Sequence, residues 1–160
     1  MLVDAVNTFN EIKTKLHDSS DLKSRQVQFF GTDITICYIA PITDNNLLND
    51  CILFPMTSEQ NKPKEDVADY LKHSVLSSIE VTEILDIDQA VTKLLNGQTV
   101  ILVDKADKIL SCDTEKITVR AVAEPPTSVV IKGPREGFTE SIKYNLALIR
   151  KRARSDDLVV

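Results

Sequence analysis

The chain has 160 residues, of which 42% are hydrophobic and 27% charged, with a net charge of −5. That length fits one domain, or one domain with a small appendage, with a sizeable core, and the composition is that of a globular chain and not of a disordered one. Tryptophan is absent and aromatics are scarce, so the core is built from Ile, Leu and Val, and the negative charge argues against a general nucleic-acid binder.

Leu2, Ala5, Val6, Phe9, Ile12 and Leu16 recur at helical spacing, which predicts an opening amphipathic helix. Ser19-Ser20-Asp21 reads as a loop. Val27 to Phe30 and Ile34 to Ala40 are β-branched and aromatic runs around Gly31-Thr32-Asp33, the pattern of a hairpin. Asp44-Asn45-Asn46 starts a second helical piece that ends near Pro55, and a polar loop follows from Thr57 to Pro63. Pro63 suits a first helical position, with Val67, Leu71 and Val75 continuing at spacing four. Glu80 to Leu85 is a strand or an extended connector.

Asp86 and Gln89 form a capping-box pattern for a helix through Asn96, and Gly97 ends it. Thr99 to Val103 is apolar from its second residue onward, as expected of a strand buried on both faces in the middle of a sheet. Lys105-Ala106-Asp107 then makes a hairpin loop leading to Lys108 to Cys112, and Asp113-Thr114-Glu115 turns the chain into a further strand, Ile117 to Ala123. Pro125-Pro126 ends this meander, and Val129 to Ile131 adds a short edge strand. The fold class expected is α+β (α/β in the broad sense): a mixed, partly antiparallel sheet with helices packed on it, in a single domain over residues 1–160.

The last helix carries a predicted apolar face of Phe138, Ile142, Leu146, Ile149 and Ala153. Thr139 is its expected cap, Glu140 complements the positive end of its dipole, and Arg150, Lys151, Arg152 and Arg154 crowd the negative end. From Lys132 to Arg154 there are seven Lys or Arg against two Glu, so one basic element sits on an acidic body. Asn145 and Arg152 flank the stripe, either as capping groups for a neighbouring loop or as partner contacts. The basic run is a solvated helix end, a contact for an acidic surface of the same assembly, or a contact for nucleic acid or anionic lipid, although no aromatic interleaving supports base stacking.

Little in the chain reads as catalytic. His17 and His73 stand alone at predicted helix ends, and the carboxylates Asp44, Asp50, Asp86, Asp88 and Asp104 are not spaced as a metal or acid–base set. With four glycines, no phosphate-cradling loop occurs. Cys37, Cys51 and Cys112 are an odd number without a C-x-x-C, set among apolar neighbours, which favours free thiols in a reducing compartment. Gly133 and Gly137 around Arg135 allow two readings: an anion held by backbone amides and a guanidinium, or a turn closed by an internal Arg–Glu contact. No enzymatic activity, cofactor or metal is expected.

The terminal segment resembles a known family. Pro134, Arg135, Glu136, Gly137, Phe138, Thr139, Glu140, Asn145, Ile149 and Arg150 spell P-R-E-G-F-T-E-x-x-x-x-N-x-x-x-I-R, which resembles the signature of the A subunits of GerA-type bacterial spore germinant receptors. Glu124, Pro125 and Gly133 are similar to the E-P…G-P run before it. Asn96 to Asp104 resembles the family's loop and apolar strand, and Tyr38 to Asp44 its Y-I-x-G-x-x-D segment, here without the glycine.

The resemblance implies the first soluble part of the N-terminal cytosolic domain of a multi-pass protein of the spore inner membrane. Its implied partners are B and C subunits and, further, other A subunits. The domain would assemble the receptor and couple nutrient sensing to ion release. A secretory signal and a membrane-spanning run are both missing from the sequence, and the apolar end Leu158-Val159-Val160 leads to the expectation of a longer polypeptide with membrane spans beyond it. Within that reading Glu124, Pro125, Gly133 to Phe138, Glu140, Asn145 and Arg150 hold the turn and helix in a shape that a neighbour reads. The alternative is a small-molecule domain for an amino acid or sugar, using the Gly133 to Phe138 loop or the 57–63 loop.

Overall fold

The computed structural model of the chain describes residues 2–116, 138 and 140–160. The expected strands Ile117 to Ala123 and Val129 to Ile131, and the turn around Gly133, Arg135 and Gly137, lie outside the described residues.

The described chain runs α1 (Ala5–Lys15), β1 (Leu22–Phe29), β2 (Thr32–Ile39), α2 (Asn45–Leu48), α3 (Phe54–Ser58), α4 (Val67–Tyr70), β3 (Val81–Ile84), α5 (Ile87–Leu95), β4 (Thr99–Val103), β5 (Ile109–Cys112) and α6 (Ile142–Arg152). The strands form a five-stranded sheet in the order β1-β2-β4-β5-β3, and each described pairing is antiparallel. The α+β class expected from the sequence is therefore the class observed.

β4, apolar from Val100 onward, lies at the sheet centre with every residue buried. Its alternate side chains enter two cores, as period two requires. Val100 and Leu102 join Ile12 and Leu16 from the α1 side and Ala90 and Leu94 of α5. Ile101 and Val103 join Leu48, Met56, Ala68 and Leu71 from the α2–α4 side. The sheet is thus covered on both faces, which is how so few aromatics suffice.

β1 begins five residues before the expected strand, at Leu22, because its polar residues Lys23, Ser24, Arg25 and Gln26 lie on an exposed edge where alternation with apolar residues is not needed. The β1–β2 turn is Phe30–Gly31, one residue earlier than expected. Both residues have positive φ (49° and 85°), the signature of a two-residue type I′ hairpin.

The second helical stretch runs past Pro55 to Ser58 through a π-helical turn over Asn49–Leu53. Pro55 has no N–H to offer the Cys51 carbonyl, which accepts from the Ser77 amide instead (3.1 Å). Phe54 N–H bonds to Asn49, and the neighbouring Asp50 carbonyl accepts from Ser77 Oγ (3.3 Å). The next helix starts at Val67 with Asp66 as its cap, not at Pro63. α5 is capped as its sequence predicts: Asp86 Oδ1 accepts from the Gln89 amide (2.8 Å), and the Gln89 side chain donates to Asp86 Oδ2 (2.9 Å).

Gly97 follows α5 with φ +83°, and a Cβ there would sit 2.9 Å from the Ile42 carbonyl oxygen. Gly31 has a similar φ of +85° but open space around it. Gly97→Ala combines left-handed strain with a backbone clash and is expected to cost about 2–4 kcal/mol, against about 1 kcal/mol for Gly31→Ala. Urea unfolding of both variants measures the difference, and equal losses contradict the packing described at Gly97.

Candidate functional site

Of the residues in the terminal signature, the structure describes Phe138, Glu140, Asn145, Ile149 and Arg150. Glu124, Pro125, Gly133, Pro134, Arg135, Glu136 and Gly137 lie outside the described residues. In this region the described structure is the seating of α6 on the body.

The cap of α6 is Ser141, whose Oγ accepts from the Tyr144 amide (3.4 Å). The helix buries the apolar stripe expected of it only in part: Leu146 and Ile149 are half-buried and Ala153 is exposed. Phe138 and Ile142 are 73% and 74% exposed, whereas the buried residues of α6 are Ala147 and Arg150. The helix is rotated about its axis so that a cation, and not the Phe138–Ile142 line, enters the protein.

The cause is a carboxylate 129 residues away. Arg150, 1% exposed, donates from Nε to Asp21 Oδ2 (2.7 Å) and from Nη2 to Asp21 Oδ1 (2.8 Å), a planar bidentate pair. Nη2 also reaches Ser19 Oγ (2.9 Å), and Nη1 donates to the Ser155 carbonyl (3.3 Å). Ser19 Oγ in turn donates to Asp21 (2.8 Å) and accepts from the Val160 amide (2.9 Å), and the Ser20 amide donates to the Val160 carbonyl (2.9 Å). The segment Ser19-Ser20-Asp21, read from the sequence as a loop, is therefore the socket for both α6 and the last described residues.

Much of the basic run is also engaged within the molecule. Lys151 Nζ donates to the Lys116 carbonyl (2.6 Å) and pairs with Glu115 (3.4 Å), and Arg154 Nη1 donates to Asn96 Oδ1 (2.8 Å) just beyond α5. The seat of α6 is thus largely polar, with Ala147 as its contribution to the core on that face. A second ionic cluster ties α4 to the far sheet edge: Lys108 pairs with Asp69 (2.8 Å) and Glu83 (3.6 Å), and Lys72 with Glu83 (2.9 Å). Hydrogen bonds from these lysines hold the Asp69 and Glu83 carboxyls below their usual range.

The other candidates do not converge. His17 is an exposed residue near Asp157 (3.6 Å), and His73 sits in the exposed part of the turn after α4. Cys37 and Cys112 are buried free thiols, and burial pushes Cys112 up to about 12 and Cys37 higher still, so neither supplies a thiolate. Among the described residues no group of His, Cys, Asp or Glu is arranged to hold a metal ion, and no helix is long and apolar enough to cross a membrane. The 57–63 loop borders a wide, open depression with Pro55 and Val75.

Removing either partner of the Arg150–Asp21 pair leaves the other buried without compensation. Asp21→Ala and Arg150→Met are each expected to cost about 3–5 kcal/mol in urea unfolding, and the double variant less than the sum of the two. Lys151→Ala and Arg154→Ala, on exposed or half-exposed pairs, are expected to cost about 1 kcal/mol or less. Additive losses at Asp21 and Arg150 contradict the pairing.

Comparison with known proteins agrees with the signature. The sequence profile of the Bacillus/Clostridium GerA spore germination protein family matches residues 10–160. Spore germination protein KA of Bacillus subtilis is 28% identical over 94% of this chain and 28% of its own length. Spore germination protein A1 of the same organism is 27% identical over 91% of this chain and 29% of its own. The chain thus spans about three-tenths of the length of these curated relatives. In fold it is similar to the crystal structure of the N-terminal domain of the A subunit of the Bacillus megaterium spore germinant receptor GerK3, with a TM-score of 0.74, 20% identity, and coverage of 99% of this chain and 59% of that one. With a family profile that runs from α1 through the seated α6 to the last residue, this chain belongs to the GerA family of spore germination proteins.

Proposed function

We propose that the chain is the first part of the N-terminal domain of a spore germinant receptor A subunit, on the cytosolic side of the spore inner membrane within a longer membrane protein. It works without chemistry of its own, as a module that assembles the receptor with B and C subunits and couples nutrient sensing to ion release. The observation that carries this reading is the unbroken family match over residues 10–160, supported by the fold likeness to an A-subunit N-terminal domain.

The arrangement of α6 fits such a role. Arg150 and Lys151 of α6, and Arg154 just beyond it, are turned onto the body, while Phe138 and Ile142 remain outside. In this reading Arg150 fixes the orientation of the helix. The residues from Gly133 to Phe138, with Glu124, Pro125, Glu140 and Asn145, are the part that a neighbouring subunit or subdomain reads.

The test is made in spores carrying the full-length protein with its receptor partners. Arg135→Ala and Phe138→Ala are introduced, and chains that keep the parent melting temperature are assayed for co-purification of the B and C subunits and for nutrient-triggered ion release. The expected result is a loss of about fivefold or more in partner recovery or in release rate. Folded variants that assemble and release ions as the parent does overturn the proposal.

A further inference from the structure

We infer that the cleft between the start of α1 and the β1–β2 edge is a binding site for a small organic cation carrying an ammonium group. This inference rests on the cleft itself and stands whether or not the receptor reading holds.

The face of the sheet toward α1 is apolar along β2 at Cys37 and Ile39, which belong to the core there. By alternation Thr35 and Asp33 point the same way. Register places Gln26 opposite Thr35 and Gln28 opposite Asp33, and Asp104 follows Val103, the partner of Ile34. The Asp104 amide bonds to the Asp33 carbonyl (3.0 Å), so Asp33 on β2 and Asp104 just beyond β4 are neighbours, and both line the same cleft. Two polar rows therefore replace the apolar face where it emerges beyond the core. The result is a cleft of about 360 Å³ whose wall on the helix side is Ala5 and Val6. That is in the range of small-molecule sites, roughly 300–1,000 Å³.

Thr35 is what distinguishes this cleft from a merely wet end of the sheet. It is 3% exposed, and its hydroxyl has no hydrogen-bond partner among the described residues. Every other buried polar side chain described has one. Ser19, Asp21 and Arg150 bond one another, Thr99 pairs with Thr114, Thr43 reaches Gly97, and Ser111 meets Thr82 and Gln98. Among the described residues no buried side-chain oxygen or nitrogen is sealed off without a partner, so the unpaired Thr35 hydroxyl opens on the cleft that Thr35 lines. A nearly buried, unpaired hydroxyl that opens on a cleft calls for a partner that enters from outside the protein.

The remaining polar groups define the ligand's chemistry. Gln26 is without a side-chain partner among the described residues. The Gln28 amide is committed to Asp33 (3.0 Å), and the cation nearest Asp104 is Lys105 at 3.9 Å, itself largely exposed. Two carboxylates, one hydroxyl and one amide present mainly acceptors under a net negative charge, beside a short apolar wall. An ammonium with its three donors matches that set, and an anion is repelled by it.

The test uses the 160-residue chain and three probes of one size and opposite charge: ethanolamine, ethylene glycol and glycolate, at constant ionic strength and pH 7. Backbone amide shifts are followed in two-dimensional NMR up to about 50 mM probe. Ethanolamine is expected to give saturable shifts confined to Gln26, Thr35, Asp104 and the first turn of α1, with weaker effects from ethylene glycol and none from glycolate. Thr35→Val is expected to weaken ethanolamine by about tenfold, the loss of one hydrogen bond to a charged group, and Thr35→Ser to restore it. Asp104→Asn is expected to erase the preference for the charged probe. Non-saturating shifts, equal responses to the three probes, or undiminished binding by folded Thr35→Val overturn the inference.

Discussion

A bidentate ion pair between Arg150 and Asp21, closed off from water, joins the two ends of the chain, and the placement of α6 depends on it. Taking both charges out of water is costly, and the arrangement offsets that cost by pairing most of their hydrogen-bonding capacity: Arg150 donates to Asp21, Ser19 and the Ser155 carbonyl. A pair of this kind adds less to net stability than an apolar contact of equal size, but it tolerates one geometry only. It therefore selects the rotation of α6 about its axis, overriding the apolar stripe that a periodicity argument would bury. The same Ser19 oxygen that serves Arg150 also accepts from Val160, so the last described residues are tied to that one socket as well.

This changes the meaning of the charge asymmetry. A segment with an excess of cations on an acidic protein reads from sequence as an external basic patch. In the structure three of those cations are turned inward or sideways, onto Asp21, Glu115 with the Lys116 carbonyl, and Asn96. The surface left to a neighbour on this side includes the exposed Phe138 and Ile142. Such an element suits a role in which orientation is transmitted, because a helix fixed by a directional pair moves with its socket as one body.

The framework of the fold was legible wherever a local rule is also the global one. The unbroken apolar run of β4 needs both faces of a sheet covered, and the Asp86–Gln89 spacing needs a helix N-terminus, so neither depends on distant residues. Boundaries went astray where a feature is permitted by context. The polar start of β1 is tolerated because it is an edge, and the helix continues past Pro55 because Ser77 takes over the orphaned carbonyls. The signature residues were readable as a group, but the buried role of Arg150 was not, since Asp21 lies 129 positions away and gives no local sign of a partner. Thr35 was equally hidden: in the run Thr32–Ile39 it reads as an ordinary β-branched residue, and only the comparison with other buried hydroxyls sets it apart.

The claim that one ion pair seats α6 is tested most directly by hydrogen exchange resolved by element, comparing the parent chain with Arg150→Met. In the parent, amides of Ile142–Arg152 are expected to be protected as part of the folded body. In the variant they are expected to exchange far faster while β4 keeps its protection, because the helix loses its socket and the central sheet does not. Undiminished protection of α6 in Arg150→Met would contradict the account.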